Sequence, residues 1–260
     1  MDHELVAIVV LYNRPLAASP SIAALQEQEG LRLLICDNST MELGNAEAAA
    51  RSGAQYINMG GNQGLARAYN QAIATLPLPQ IEAVCLFDDD TEVPVDYAAR
   101  ARQYLTDRSA DIYLPLVYDG RGLLSPCRLQ RYRAMRLGDA ELTSLGANQA
   151  IPAEYVGVNS GMLIRPATLL RCRFDERLLL DYVDFSFQRQ ARAEGATVAV
   201  MPDIILHQDF SATSSSTQAA AERRQRLQSF TRDLRIYCGN SLRGRLAAAA
   251  IAWRRRLAAG

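Results

Sequence analysis

Four short apolar segments alternate with three helix-like segments along the first ninety residues. The apolar segments are residues 5–11, 31–36, 54–58 and 83–87. The segments between them, which are rich in Ala, Leu, Gln and Glu, are residues 21–29, 41–52 and 64–75. Near-continuous apolar runs of this length predict strands buried on both faces of a sheet, and their alternation with helices predicts right-handed crossovers. The pattern therefore predicts an α/β fold with a mostly parallel central sheet flanked by helices.

The remainder of the chain has a less regular pattern. Residues 119–154 are rich in Arg, Gly and Leu with weak periodicity, and we expect an excursion with limited regular structure that lines a substrate cleft. Strand character then returns in residues 155–158 and 161–164. A helix is predicted over residues 180–193, and two short strands over residues 197–200 and 204–206. After a polar linker at residues 211–216, two amphipathic helices follow. The predicted apolar stripe of the first is Leu227, Phe230, Leu234 and Tyr237, and that of the second is Leu242, Leu246, Ala250, Trp253 and Leu257. We predict one domain over residues 1–212 and a C-terminal helical appendage over residues 213–260.

Polar or glycine residues follow each of the first four predicted strands. In an open α/β sheet, ligands bind outside the carboxyl ends of the strands, so these loops predict a ligand site at one edge. The loops are Tyr12-Asn13-Arg14-Pro15, Asp37-Asn38-Ser39, Gly60-Gly61-Asn62-Gln63-Gly64 and Asp88-Asp89-Asp90.

The acidic run Asp88-Asp89-Asp90 is the strongest chemical signal in the chain. Three neighbouring carboxylates repel one another, and hard cations such as Mg²⁺ and Mn²⁺ take carboxylate oxygens and share them with substrate phosphates. The run therefore predicts a metal–diphosphate site, with a solvated acidic turn as the alternative.

Composition limits the remaining possibilities. The chain has 260 residues and is 49% hydrophobic, which suffices for one large α/β domain with an appendage. Five scattered cysteines without a CxxC motif favour a reducing compartment. They argue against a disulfide framework and against a zinc site. All 28 basic residues are Arg, which excludes a catalytic lysine. The start of the chain lacks a basic signal-peptide segment, and no apolar run has membrane-spanning length.

Charge is unevenly distributed along the chain. Residues 213–260 hold ten arginines against two acidic residues, a balance of +8, and the first 212 residues carry the opposite balance of −8. A basic tail can face an anionic surface while the acidic body holds a cation.

Six segments of the chain resemble, in order and spacing, the family 2 glycosyltransferases of GT-A fold, and among them the rhamnosyltransferase-like group. The resemblance extends over residues 5–210. The matching segments are residues 9–13, 35–39, 62–70, 86–90, 159–164, and 174–176 leading to 181–184.

This resemblance implies the nucleotide-diphospho-sugar transferase fold and an inverting, metal-dependent sugar transfer. The donor would be dTDP-L-rhamnose, and the acceptor a saccharide or lipid-linked saccharide of cell-surface glycan synthesis, with no nucleic-acid partner. The family's D-x-D motif maps onto Asp88 and Asp90. With His207, which lies at a similar distance past the acidic motif as a histidine in relatives, these two residues would bind Mg²⁺ or Mn²⁺.

The resemblance also implies which residues bind the donor. Tyr12 would stack on the base, and Asp37 would accept its N3–H, with an Asx-turn or a helix N-cap as the alternative role for Asp37. Arg67 would contact the diphosphate, with an exposed helix arginine as the alternative. The full set of implied nucleotide-sugar contacts is Tyr12, Asn13, Arg14, Asp37, Asn62, Gly64, Arg67, Asp88 and Asp89. The implied donor and acceptor pocket is Asn159, Ser160 and Gly161.

An inverting transfer needs a general base, and the family supplies it from an acidic motif at the start of a helix. The matching residues here are Asp181 and Asp184, but Tyr182 stands where many relatives have their Asp. Asp181 and Asp184 share one helix face. We expect Asp181 to be the base and Asp184 to support it, with helix-dipole complementation as the alternative role for both.

Several other functions and locations stay open at this stage. A nucleotidyltransferase would also use a metal but usually shows a basic Gly-rich loop after the first strand. A phosphatase of the Asp-x-Asp-x-Thr type fails, because it needs Thr or Val two residues past its second Asp and an early strand. A non-catalytic sugar-nucleotide binder stays possible because of Tyr182.

We expect a cytoplasmic protein. Arginines and Trp253 in the C-terminal helices suit peripheral contact with the inner face of the bacterial cytoplasmic membrane, although packing on the chain's own domain or in a homodimer is equally plausible.

Overall fold

The computed structural model describes residues 4–106, 110–130, 132–147, 149–208, 220–239 and 241–259, and this part of the chain contains twelve strands and nine α-helices. The strands are β1 (Glu4–Leu11), β2 (Leu31–Asp37), β3 (Gln55–Asn58), β4 (Ile81–Asp88), β5 (Thr91–Glu92), β6 (Ile112–Asp119), β7 (Gly122–Ser125), β8 (Cys127–Gln130), β9 (Arg133–Arg136), β10 (Tyr155–Val156), β11 (Met162–Ile164) and β12 (Val198–Gln208). The helices are α1 (Pro20–Gln26), α2 (Asn45–Ser52), α3 (Leu65–Ala74), α4 (Tyr97–Thr106), α5 (Asp139–Ser144), α6 (Pro166–Arg171), α7 (Val183–Ala193), α8 (Ala220–Cys238) and α9 (Leu242–Ala259).

A large central sheet organises the molecule. Its strand order is β3-β2-β1-β4-β11-β6-β12-β5, with β7 paired to β6. The first four strands of this order are parallel, and β11 runs antiparallel between β4 and β6. The predicted α/β fold with a central sheet flanked by helices is thus confirmed, and the second half of the sheet is mixed rather than parallel.

Helices cover both faces of the sheet, so β1 is buried from Leu5 to Leu11. Because side chains alternate along a strand, Val6, Ile8 and Val10 pack into one core cluster while Leu5 and Leu11 pack into the other. This double burial explains why the early strands are continuous apolar runs rather than alternating ones.

The middle of the chain has more regular structure than its weak periodicity indicates. Residues 119–154 contain β7, α5 and two strands of a separate three-stranded sheet, β10-β8-β9. Strands β8 and β9 are short and largely exposed, so few of their side chains needed to be apolar. The expectation of limited regular structure there was wrong, because cross-strand pairing rather than burial defines these strands.

Two further differences follow from backbone geometry. The predicted strands over residues 197–200 and 204–206 are one strand, β12, with a register shift between Met201 and Ile205 where Pro202 has no N–H to donate. The helix predicted from residue 180 begins only at Val183, because Tyr182 adopts a left-handed conformation with φ of 63°.

The two C-terminal helices pack differently. On α8, Phe230, Leu234 and Tyr237 are buried as the predicted stripe requires. On α9, the predicted stripe is exposed, since Leu242 and Trp253 are 73% and 62% exposed while small alanines face α8. The predicted linker at residues 211–216 lies outside the described residues. Among the residues described, no helix is both long enough and apolar enough to cross a membrane.

Candidate active site at the carboxyl edge of the sheet

The strand register brings the polar loops to one edge of the sheet. Leu11 at the end of β1 pairs with Asp37 of β2, and the preceding residue Val10 pairs with Asp88 of β4. Further along the strand order, Gln208 at the end of β12 pairs with Thr91 of β5, which directly follows the acidic run. The candidate site is therefore assembled by parallel strands that end at the same level.

Asp88 is held by three uncharged donors. The amide of Asn159 donates to Oδ1 at 3.0 Å, while the Ser160 hydroxyl and the Gln208 amide donate to Oδ2 at 2.9 and 2.8 Å. Burial raises the pKa of Asp88, and these hydrogen bonds offset the effect only in part. Asp88 thus has a fixed orientation without a cationic partner among these contacts.

Asp90 shares one of these donors. The Gln208 amide also donates to Asp90 Oδ1 at 3.0 Å, so it bridges the two carboxylates. Burial, followed by repulsion from Asp88, raises the pKa of Asp90 to about 6. A cation placed between these groups would relieve that repulsion, and the oxygen-rich set suits a hard ion such as Mg²⁺ or Mn²⁺.

His207, the predicted third metal ligand, lies away from these carboxylates. Side chains alternate along β12, so Gln208 faces Asp88 and Asp90 while the exposed His207 ring lies 6.0 Å from that of Tyr118. Within the described ranges, no group of three or more His, Cys, Asp or Glu side chains is arranged to hold a metal ion. The residues present therefore offer a two-carboxylate site with Gln208 beside it.

Asp89 fixes the loop after β1. Its two carboxylate oxygens accept from the Tyr12 backbone N–H at 2.9 Å and from Arg14 Nε at 3.0 Å. Asn13 ties the same loop to the one after β2, since its Oδ1 accepts from the Thr40 N–H at 2.8 Å. The Tyr12 side chain remains 50% exposed, which leaves its ring face open for stacking.

Asp37 forms the Asx-turn that was the alternative to base binding, and it has further partners within the protein. Its Oδ1 accepts from the Ser39 N–H at 2.9 Å, which is the Asx-turn, and its Oδ2 accepts from Asn45 and from the Tyr56 hydroxyl. Although burial acts to raise it, these hydrogen bonds lower the pKa of Asp37. The carboxylate is therefore ionised and oriented near the exposed Tyr12 ring.

The glycine loop before α3 is held by its own polar groups. Asn62 Oδ1 accepts from the Gly64 N–H at 3.1 Å and from the Asn38 amide at 3.2 Å. Arg67, half exposed on α3, pairs with Glu176 at 3.4 Å and donates to Gln63. A ligand phosphate would have to compete with Glu176 for this arginine.

Gly161 has a steric role beside Asn159 and Ser160. Its φ is +73°, and a Cβ atom there would lie 2.4 Å from Leu206 Cδ1 and 2.8 Å from Pro115 Cγ. Its N–H donates to the Leu86 carbonyl at 2.7 Å. Gly161 therefore lets the Asn159–Ser160 turn pack against the sheet, while the two side chains before it reach Asp88.

The two carboxylates before and within α7 have different surroundings. Asp181 forms a two-point ion pair with Arg226 of α8, with N–O distances of 2.5 and 2.8 Å. Asp184 lies in the first turn of α7, where burial raises its pKa to about 7 and repulsion from Asp88 and Asp181 contributes. The pKa of Asp184 is thus close to neutral pH, whereas Asp181 is paired with the Arg226 guanidinium.

Sequence reasoning missed three polar groups of this region. Gln208 was not considered because the neighbouring His207 was the obvious metal-ligand candidate. Alternation along a strand predicts that these two side chains point to opposite faces of the sheet. Arg226 and Asp233 of α8 lie far along the chain from the residues they contact, and only the isolation of Asp233 within an arginine-rich segment marks it in the sequence.

Comparison with known proteins places these features in a family context. The model of Glycosyl transferase family 2 matches residues 6–178. A relative from Shigella flexneri, dTDP-rhamnosyl transferase RfbF, is 23% identical over 207 residues, which cover 78% of this chain and 68% of that protein.

Solved structures show the same fold. S. aureus TarS superposes with a TM-score of 0.60 at 16% identity, covering 90% of this chain and 39% of the TarS chain. TarS 1-349 in complex with UDP-GlcNAc gives a TM-score of 0.61 at 15% identity, covering 90% of this chain and 65% of that one. GalNAc-T7 with UDP, GalNAc and Mn²⁺ gives 0.60 at 12% identity, covering 80% and 43%. This chain thus spans less than two thirds of these structural relatives.

Proposed function

The chain belongs to glycosyl transferase family 2 and has the GT-A fold, and from that premise we propose that it is an inverting, metal-dependent rhamnosyltransferase. Its donor is dTDP-L-rhamnose, and its acceptor is a saccharide or lipid-linked saccharide of cell-surface glycan synthesis. The 23% identical dTDP-rhamnosyl transferase supports this donor. The site argues for catalysis rather than mere donor binding, because it holds a carboxylate suited to proton transfer.

The observation that carries the proposal is the pair Asp88 and Asp90 at the end of β4, bridged by the Gln208 amide. The raised pKa of Asp90 means that its ionisation beside Asp88 costs free energy in the folded protein, and bound positive charge would offset that cost. We therefore assign Asp88 and Asp90 as the groups that hold Mg²⁺ or Mn²⁺. Such an ion would supply positive charge that stabilises the leaving nucleoside diphosphate.

Asp184 is the general base in this proposal. Its pKa of about 7 lets it accept a proton at neutral pH, whereas Asp181 is held by Arg226. Asp184 takes the proton of an acceptor hydroxyl as that oxygen bonds to the anomeric carbon. The bond from that carbon to the diphosphate oxygen breaks on the opposite face, so the configuration inverts.

Tyr12 and Asp37 bind the thymine base. The exposed Tyr12 ring stacks on the base, and the ionised Asp37 carboxylate accepts its N3–H. A base edge buried without a partner would be costly, which gives Asp37 a role in affinity. Uracil presents the same N3–H, so these two residues alone do not discriminate dTDP donors from UDP donors.

The test is a panel of nucleotide-sugars, each measured by thermal denaturation with Mn²⁺ and with a chelator. A ligand at one hundred times its Kd stabilises the folded state by about 2.7 kcal/mol. We expect Mn²⁺-dependent stabilisation by dTDP-L-rhamnose that exceeds that by UDP-GlcNAc, and loss of the response in Asp37→Ala. Stabilisation by UDP-GlcNAc alone would refute the rhamnosyl assignment, and no response to any donor would refute the enzyme assignment.

We also propose that α9, in the segment after residue 212, binds an anionic membrane surface where a lipid-linked acceptor would lie. Leu242, Leu246 and Trp253 are spaced four and seven residues apart, so they form one exposed stripe. Exposed arginines at positions 243 and 254 lie along its border. An apolar stripe bordered by arginines complements anionic lipid headgroups.

Liposome co-sedimentation tests this surface. We expect binding to vesicles that contain phosphatidylglycerol, weaker binding to pure phosphatidylcholine, and loss of binding in the double variant Leu246→Ser, Trp253→Ser. The matched control is Leu170→Ser, since Leu170 is 64% exposed on α6. Unchanged binding by the double variant would refute the proposal, as would self-association through this stripe in the absence of lipid.

A further inference from the structure

Asp233 of α8 is a fully buried carboxylate whose partners are backbone amides of another segment. The N–H groups of Leu180 and Asp181 donate to its Oδ2 at 2.9 and 3.0 Å, and that of Leu179 lies 3.2 Å from both oxygens. Burying a carboxylate is costly unless hydrogen bonds replace its water. These three amides supply that replacement, so Asp233 and the segment of residues 179–181 hold each other in place.

Two further contacts join the same partners. Arg226 lies seven residues before Asp233, two helical turns away on the same face of α8, and it forms the two-point ion pair with Asp181. Tyr182 stacks on Tyr237 of α8 with ring centroids 4.7 Å apart. These contacts offset the cost of the left-handed backbone at Tyr182, since such a conformation is unfavourable for a bulky residue.

The opposite side of this segment lies against the start of α3. The Leu65 N–H donates to the Leu179 carbonyl at 2.6 Å, and a Cβ atom on Gly64 would lie 3.1 Å from Leu179 Cα. Residues 179–182 are therefore confined between the glycine loop and α8. They lead directly into the first turn of α7, which carries Asp184.

We propose that Asp233 and Arg226 are positioning residues of the transferase site, which act through residues 179–182 to hold Asp184 in its reactive position. This inference rests on the proposed role of Asp184 as the base. Both residues lie beyond residues 6–178, which the family model matches. Helix α8 is thus part of the catalytic apparatus rather than an appendage to it.

The kinetic test compares Asp233→Asn, Arg226→Gln and Arg226→Lys with the unmodified protein. A misplaced catalytic group costs about 100-fold for a displacement of about 1 Å, so we expect kcat to fall about 30- to 100-fold in Asp233→Asn. The donor KM should stay within about twofold, because the base-binding residues Tyr12 and Asp37 lie on other elements. Arg226→Lys should recover part of the kcat lost in Arg226→Gln, since it restores the charge but not the two-point geometry.

The matched control is Asp111→Asn at the opposite edge of the sheet. Asp111 accepts hydrogen bonds from the backbone N–H and the hydroxyl of Thr197, so it also secures a loop. We expect it to lower the melting temperature without changing kcat. A fall in kcat equal to that of Asp233→Asn would overturn the inference, because loss of stability alone would then explain both variants.

Amide hydrogen exchange tests the contact without any substrate. In Asp233→Asn we expect the amides of residues 179–181 to exchange at least about tenfold faster, with β1 and β4 unchanged. Unchanged exchange in this segment, or faster exchange throughout the sheet, would overturn the inference. So would faster local exchange with unaltered kcat. If the unmodified protein turned over no donor, the proposed function would fail, and the exchange result alone would decide whether α8 holds this segment.

Discussion

Replacing Asp90 by Asn should make the metal-free protein more stable and less active. Asn has nearly the same shape and can still accept the hydrogen bond from Gln208, so the substitution removes charge and little else. The pKa of Asp90 is about 6 in the folded protein, above its usual value of 3.8. The folded state therefore binds this proton more tightly than the unfolded state does, and stability falls as pH rises between these two values.

The size of the effect follows from the same two values. A difference of about 2 between the folded and unfolded pKa corresponds to about 3 kcal/mol at a pH above 6. Because Asp90 is partly exposed, water screens the repulsion, and we expect about 1 to 1.5 kcal/mol. For a chain of this length, that gain raises the Tm by about 3 to 5 °C.

The assay is thermal denaturation of both proteins in a chelator at pH 8 and at pH 4. At pH 8 Asp90→Asn should melt about 3 to 5 °C higher, whereas at pH 4, where Asp90 is protonated in the folded state, the gain should shrink to about a fifth of that. Mn²⁺ should stabilise the unmodified protein more than the variant. The control is Asp175→Asn, since hydrogen bonds from Arg177 lower the pKa of Asp175 and its replacement should reduce stability at pH 8.

A loss of stability in Asp90→Asn at pH 8, or an equal gain at both pH values, would refute this reasoning. Either result would mean that burial and repulsion from Asp88 do not together raise the pKa of Asp90 in the folded protein. The case for a cation at this position would then lose its electrostatic basis.

Three further predictions concern neighbouring residues. Asp184→Asn should lower kcat about 10³-fold while donor binding measured by calorimetry is retained, and the unmodified enzyme should gain activity as pH rises through about 7, so a flat profile from pH 5 to 9 would contradict the role of Asp184. Gln208→Ala should weaken Mn²⁺-dependent thermal stabilisation, whereas His207→Ala should leave it unchanged; the reverse result would restore His207 as the ligand. Gly161→Ala should destabilise the protein by about 2 to 4 kcal/mol in urea denaturation, because its Cβ would collide with Leu206, and a loss below about 1 kcal/mol would show that the turn can relax.

Much of the fold could be predicted because buried segments consist mainly of apolar residues. Strands β1, β2 and β4 are buried along most of their length, so their sequences are apolar runs, and the structure has strands at these positions and at the more exposed β3. Strands β8 and β9 are largely exposed and owe their existence to each other, so no local pattern revealed them. The same contrast applies to β12, whose register shift at Pro202 split one strand into two apparent ones.

The candidate site was predictable in its position but not in its contacts. Parallel strands end at one edge, so the loops carrying Asp37 and Asp88 had to meet. Side chains alternate along β12, so only one of the neighbours His207 and Gln208 can face the acidic run. The pairing register of β12 decides that it is Gln208.

Local periodicity and strand direction are enough to predict the α/β class, the edge at which the polar loops gather, and the acidic character of the centre. Three features depend on the folded arrangement: Arg226 pairs with Asp181, Asp184 has a pKa near neutrality, and Asp233 binds the backbone of residues 179–181. The physical reason is that a pKa and an ion pair depend on burial and on charges brought from distant parts of the chain, which no local pattern specifies.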